Sequence, residues 1–288
     1  MLFRAIIIFI APILSFASIS ASASERLTVR ELDQKIVKEL RAGGDCISTT
    51  NVVLCAQQGK FEQDTLASLL ELFDEGAIAT RQYLGSQLNM PGNEDDPIEF
   101  FVHSDVGVPH TTIFHEPWIF LNTDTINYDM IPYLHEMVHV MAQWSWRTSE
   151  WVGEGFANYV ASSVVESGVG YHRSFILADG LERLSEFCGS SAGAAMLPLV
   201  GEPGRRSTLS DENAAIFRLM MSDRRNYAPA YYAMSWSFTE YLIENIGLDG
   251  LRAIAESMDP SSVSEAISGT TIEEHKDKWR EHHCVDLP

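Results

Sequence analysis

Apolar positions recur with a helical period from Glu25 onward. Glu25 to Leu40 shows this spacing, and Phe61, Leu66, Leu69, Leu70, Phe73 and Ile78 continue it in a longer helix running towards Leu88. Both read as helices that pack one face on a core. The turn-rich stretch Met90-Pro-Gly-Asn-Glu-Asp-Asp-Pro97 interrupts the pattern. Two short runs rich in aromatic and branched residues follow, Ile98 to Val102 and Trp118 to Leu121, and these read as strands. From Asp129 the helical period returns and holds almost to the end, over about 130–146, 150–166, 172–187, 212–222, 230–246, 248–257 and 272–283. Pro132 falls in the first turn of the first of these, where a missing amide proton is tolerated. Gly189 to Ser210, with Gly, Pro and Ser throughout, reads as the longest irregular stretch and a candidate mobile loop. A small sheet followed by many helices makes the expected fold class α+β.

The N-terminus sets the expected compartment. Arg4 precedes an apolar run, Ala5 to Ala17, that is too short for a bilayer span and is closed by the small residues Ser18 to Ser24. This pattern predicts a secretory signal over 1–23, cleaved after Ala23, and a secreted or periplasmic protein without a membrane anchor after cleavage. Export makes Cys46, Cys55, Cys188 and Cys284 candidates for two disulfides, of which three pairings are possible. Proximity favours Cys46 with Cys55, which leaves Cys188 with Cys284 to close a long loop. His282, His283 and Cys284 stand together, but tail histidines without further spaced ligands are more often solvated. Composition narrows the partners. With 40 acidic against 20 basic residues the formal charge is −20, so nucleic acid and polyanionic membrane surfaces would be repelled. The 45% hydrophobic content is that of a folded globular chain, and the sequence does not specify an oligomeric state.

The strongest chemical signal is His135-Glu136-Met137-Val138-His139. On a helix, positions i and i+4 share a face, so both imidazoles can reach one cation while Glu136 flanks it. Glu154, fifteen residues beyond His139, lies in the segment Trp151-Val-Gly-Glu154-Gly-Phe-Ala-Asn158-Tyr159, which opens a second helix with Ser149 a plausible N-cap. Two helices joined by so short a turn run roughly antiparallel. Glu154 then returns beside the histidines as a third ligand, leaving the fourth position of a tetrahedral zinc site for water. Asn158, at i+4 from Glu154, can hydrogen-bond a ligand imidazole.

His-Glu-x-x-His followed by Trp-x-x-Glu-Gly-x-Ala-x-Tyr resembles the gluzincin metallopeptidases, the thermolysin-like and aminopeptidase-like group. The resemblance covers about 139–159 with the preceding helix. It extends more weakly to Tyr232-Ala-Met-Ser235 and Phe238-x-x-Tyr241-Leu242, similar to the later helix that carries a transition-state tyrosine. It implies a zincin-like fold, with a small mixed sheet, an active-site helix pair and a mainly helical C-terminal part. The expected single domain spans 24–288: N-terminal helices and sheet to about 125, active-site helices over about 126–170, and the helical part over about 171–288. By the same resemblance one Zn2+ per chain is held by His135, His139 and Glu154, Glu136 is the general base and Tyr232 the oxyanion donor, with Tyr231 one residue of register away. The chain departs from the pattern in places. The segment from His139 to Glu154 is about one helical turn shorter than in the large aminopeptidases, and no Gly-x-Met-Glu-Asn segment supports free-amine recognition. Neither the glycine nor the third histidine of a metzincin follows His139.

The implied activity is that of a zinc peptidase acting on peptides or proteins, with Trp118 to Leu121 offering a strand edge to an extended substrate. A silent zincin-like module binding a partner in the same cleft, or a hydrolase of non-peptide amides, would use the same residues. Trp144, Trp146 and Trp151 read as core or cleft wall. His110, His115, His172 and His275 lack a partner at ligand spacing.

Overall fold

The computed structural model describes residues 28–85, 90–112, 116–127, 130–146, 149–171, 184–202 and 209–284. The expected signal segment 1–23, His115 and His172 lie outside these residues, as does most of the expected helix over 172–187. The fold is α+β, with one small mixed sheet and a mainly helical C-terminal part.

Helix α1 (Val29–Gly43) starts at a reciprocal cap, in which the Thr28 hydroxyl accepts from the Glu31 amide and the Glu31 carboxylate accepts from the Thr28 amide. Strands β1 (Asp45–Ser48) and β2 (Val52–Ala56) form an antiparallel hairpin, followed by α2 (Gln63–Leu84). Strands β3 (Ile98–Val102), β4 (His110–Thr111) and β5 (Trp118–Leu121) complete a sheet of order β1-β2-β3-β5-β4. The pairs β2/β3 and β3/β5 are parallel, and β4/β5 is antiparallel. This order corrects the expectation that β5 offers its edge: β5 is enclosed by β3 and β4, and the free edge on that side belongs to β4.

Strand periodicity divides the sheet between two cores. Val52, Leu54 and Ala56, Ile98, Phe100 and Val102, and Ile119 and Leu121 point into the main core with the helices. Alternate residues Cys55, Phe101 and Phe120 point the other way and are covered by Ile36, Val37 and Leu40 of α1. Burial on both faces is why these strands read as continuous apolar runs.

After α3 (Thr123–Asn127) come α4 (Tyr133–Met141) and α5 (Glu150–Glu166). Helix α4 is shorter than the expected 130–146: it begins after Pro132, and Ala142 (φ −109°, ψ 50°) ends it before a 3-10 turn over Gln143–Trp146. The stretch expected to be irregular contains α7 (Ser191–Met196), which follows α6 (Leu184–Gly189) and leads into a 3-10 turn over Leu197–Leu199. The Ser190 hydroxyl caps α7 by accepting from the Gly193 amide.

Helices α8 (Asp211–Ser222), α9 (Arg224–Glu256), α10 (Pro260–Ser268) and α11 (Ile272–His283) finish the chain. Gly247, at φ 74°, bends α9 where the periodicity separated 230–246 from 248–257. Both expected disulfides are present, Cys46–Cys55 across the β1/β2 pair and Cys188–Cys284 tying α6 to the end of α11. Cys284 is therefore not available to a metal beside His282 and His283. No helix among the described residues is long and apolar enough to cross a membrane.

Candidate metal centre

The site is made by α4, α5 and α9. Helix α4 is buried along its whole length, which fixes its rotation and presents His135 and His139 on one face. Helix α5 returns after the turn and brings Glu154 against them. Its approach to α9 depends on Gly155: a β-carbon there would lie 2.3 Å from both the Ser235 carbonyl oxygen and the Thr239 hydroxyl. Only glycine permits so close a helix contact. Ser149 occupies the N-cap position, but its hydroxyl makes no capping bond and is buried without a hydrogen-bond partner among the described residues.

Three ligand atoms converge. His135 Nε2 stands 2.9 Å from His139 Nε2 and 3.1 Å from Glu154 Oε2, and His139 Nε2 is 3.6 Å from the same oxygen. The three residues can hold a metal ion, with one potential ligand atom from each inside a 4.8 Å span. His135, Glu136 and His139 are 6%, 6% and 3% exposed, so these polar groups are largely withdrawn from water. Glu154 Oε2 is buried and no hydrogen bond of good geometry reaches it among the described residues, so the donor set of two imidazoles and this oxygen fits a cation. The second carboxylate oxygen, Oε1, accepts a 3.2 Å hydrogen bond from the Tyr232 hydroxyl.

Electrostatics follow from this packing. Burial alone would raise the Glu154 pKa, but the attraction of His135 and His139 outweighs it and holds the carboxyl well below its usual range. Burial pulls His135 down, while Glu154 and then Glu136 pull it up further, so its pKa is raised. His139 is lowered, by burial and by the neighbouring His135. Burial, followed by the Glu154 charge, pushes the Tyr232 phenol well above its ordinary value and keeps it a proton donor. The Glu136 carboxylate is near enough to act on both imidazoles, on Tyr232 and on His110.

The sequence-derived residues therefore meet: His135, His139 and Glu154 form the cluster, Glu136 flanks it, and Tyr232 touches Glu154. Tyr231 is buried, 2% exposed, and lies beside Ser235 on α9; the hydroxyl bonded to the cluster is that of Tyr232. Asn158 Oδ1 is 2.7 Å from His135 Nδ1, so the ring donates from Nδ1 and leaves Nε2 to face the cluster.

Two contacts were not read from the sequence. Trp146 Nε1 donates to His139 Nδ1 at 2.6 Å. His110, on the edge strand β4 against α4, places Nε2 3.0 Å from Asp33 of α1 and Nδ1 2.8 Å from the Val108 carbonyl. Acceptors on both ring nitrogens call for a doubly protonated imidazole. Burial opposes that charge most strongly, but the hydrogen bonds to Asp33 and the Val108 carbonyl, with the charges of Asp33 and Glu136, together outweigh it and the His110 pKa is raised.

No family model and no curated protein matches this chain. Among solved structures, it is similar to a functionally unknown conserved protein from Bacillus anthracis str. Ames, at 13% identity and a TM-score of 0.44. The match covers 92% of this chain, which spans 56% of that one.

Proposed function

We propose that the protein is an exported zinc-dependent peptidase of the gluzincin type, in which His135, His139 and Glu154 hold one zinc ion. The observation that carries this reading is the convergence of two imidazoles and one carboxylate on a buried point, with Glu136 beside it. Two nitrogens and one oxygen are the donor set of a catalytic zinc site with an open position. When bound there, zinc would polarise a scissile carbonyl and lower the pKa of a water molecule.

The chain's own residues supply the rest. Glu136 takes the proton of the attacking water and delivers it to the leaving amine. The Tyr232 hydroxyl, held protonated, turns from Glu154 Oε1 to the oxyanion that forms at the carbonyl carbon, a donor contribution of a few kcal/mol. Asn158 fixes the His135 ring. An extended peptide would pair along the free edge of β4 rather than β5, since β4 ends the sheet beside α4. Two disulfides fit an oxidising compartment and support export.

Glu136→Gln tests the reading against a silent binding module that shares the cleft. Gln is nearly isosteric but cannot take the proton, while the three ligands are untouched. The mature protein is expected to contain about one zinc per chain with or without the substitution. Peptide hydrolysis in the variant should fall at least about a hundredfold, with peptide binding kept. Protein purified without chelator that lacks zinc sinks the metal reading. Hydrolysis equal in both proteins removes Glu136 as the base and leaves the binding module.

A further inference from the structure

Strand β4 is only His110–Thr111, yet it forms the free edge of the sheet beside α4. Its outward groups follow from the ladder. The Thr112 amide donates to the Trp118 carbonyl, so Thr112 with Trp118 and His110 with Phe120 are the hydrogen-bonded pairs. Thr111, opposite Ile119, then turns its N–H and C=O away from β5. Those are the main-chain groups that the edge offers to an extended peptide. Backbone pairing alone over so short a strand is a weak hold for such an edge.

Side chains supply what the ladder lacks. The Thr111 hydroxyl donates to the Trp118 carbonyl at 2.8 Å, and the His110 ring stacks on Phe120 with centroids 5.0 Å apart and planes at 14°. His110 Nδ1 meets the Val108 carbonyl and closes the turn before the strand, while Nε2 meets Asp33 on α1. Asp33 is 4% exposed and lies among the buried residues of α1 with Ile36, Val37 and Leu40. A carboxylate there costs free energy unless it is paired, and His110 offsets that cost. Helix α1 covers the face of the sheet opposite α4, so the pair holds the edge strand from behind the site.

We propose that His110 is a positioning residue for substrate: braced on Asp33, it holds Thr111 where its N–H and C=O pair with the main chain of an extended peptide. This rests on the peptidase reading above. The brace governs peptide binding and takes no part in bond breaking, and neither of its side chains need touch the peptide. With it released, β4 keeps only its backbone pairing and the Thr111 hydroxyl bond to β5. The peptide must then order the edge as it binds, and binding weakens.

Hydrolysis kinetics of the mature chain test this in the wild type, His110→Ala, Asp33→Ala, the double variant and His110→Gln. The probe is an internally quenched peptide chosen from those that the wild type cuts in a peptide-library digest. Circular dichroism and zinc content report that each variant is folded and loaded. His110 is only partly buried, and removing the Asp33 carboxylate spares its desolvation, so both single variants should fold. Each alanine variant is expected to raise KM about tenfold, the scale of two main-chain hydrogen bonds. Turnover should stay within about twofold of the wild type, because the bond-breaking groups are untouched. The double variant should match the single ones, since either change already releases the brace. His110→Gln places an N–H as many bonds from the backbone as Nε2 and should recover most of the KM. A general loss of stability would neither separate KM from kcat nor be reversed by glutamine. Unchanged KM in both alanine variants, effects that add in the double variant, or an equal loss in kcat overturns the brace while the peptidase reading stands. A wild type that cuts no peptide overturns the peptidase reading and this proposal with it.

Discussion

Gly155→Ala probes the contact that brings Glu154 into the site. The added β-carbon would stand 2.3 Å from the Ser235 carbonyl oxygen and from the Thr239 hydroxyl, both on α9. Ordinary contact begins near 3.4 Å, so α5 and α9 must part by about 1 Å. The Ser235 oxygen is backbone and cannot rotate away. Overpacking of this kind costs about 3 kcal/mol, against which alanine in a helix interior regains about 1 kcal/mol over glycine. A net loss of about 2 kcal/mol is expected in urea denaturation. The same shift separates Glu154 on α5 from Tyr232 on α9, and a misplacement of about 1 Å in a catalytic group costs on the order of a hundredfold in turnover. Gly43, at the end of α1 with no atom within 4 Å of its virtual β-carbon, is the control. Gly43→Ala should leave hydrolysis unchanged and stabilise by up to about 1 kcal/mol. If Gly155→Ala loses less than about 0.5 kcal/mol and hydrolyses peptide like the wild type, the close approach of α5 and α9 is not what positions the site.

Three other outcomes are expected. Tyr232→Phe should lower turnover with little effect on zinc binding, because its bond to the oxyanion forms mainly in the transition state; if Tyr231→Phe shows that loss instead, the hydrogen bond to Glu154 is not the functional one. His110, whose pKa the fold raises, should contribute stability that is fully present below its unfolded value of about 6.5 and is lost as pH rises through the higher folded value. His110→Gln should therefore unfold at lower urea than wild type at pH 5.5 and approach it at alkaline pH, and a gap that widens with pH would refute the Asp33 pairing. Removing Cys188–Cys284 by paired serine substitution should cost more than removing Cys46–Cys55, since the sequence separations are 96 and 9 residues. Loop-closure entropy makes the difference about 2 kcal/mol, and equal denaturation midpoints would contradict it.

Much of the site was legible because its signals are local. His135 and His139 share a helical face by spacing alone, and the short turn to Glu154 forces the second helix back. The long helices and the two central strands also declared themselves by period. The missed elements lack that kind of signal. Strands β1 and β2 are a short hairpin whose pairing shows only in its cysteines, and α7 is one turn of small residues held by a serine cap. Helix α10 did carry a readable mark, Asp259 as cap followed by Pro260 in the first turn, which went unused. The edge position of β4 depends on strand order, which crosses between distant segments. His110 meets Asp33 across 77 residues, and no local pattern announces that pair. Trp146 reaches His139 only because α4 stops at Met141 and the chain tightens into a 3-10 turn; on a continuous helix, seven residues on, it would have lain two turns away.

The bond between Cys188 and Cys284 also changes what a single break in the chain can do. His135, His139 and Glu154, which could hold a metal ion, precede Cys188, and Tyr232 lies inside the loop that the bond closes. If the proposed reading as an exported peptidase holds, the chain shares its compartment with other peptidases and with copies of itself. Hydrolysis of any one peptide bond between the two cysteines would leave both fragments covalently joined, with α11 still tied to α6. Such a nicked molecule would migrate as one species until reduced, and α9 could keep its place against α5 by packing alone. The disulfide thereby converts an irreversible event, loss of a fragment by diffusion, into a local opening that the folded core can reverse.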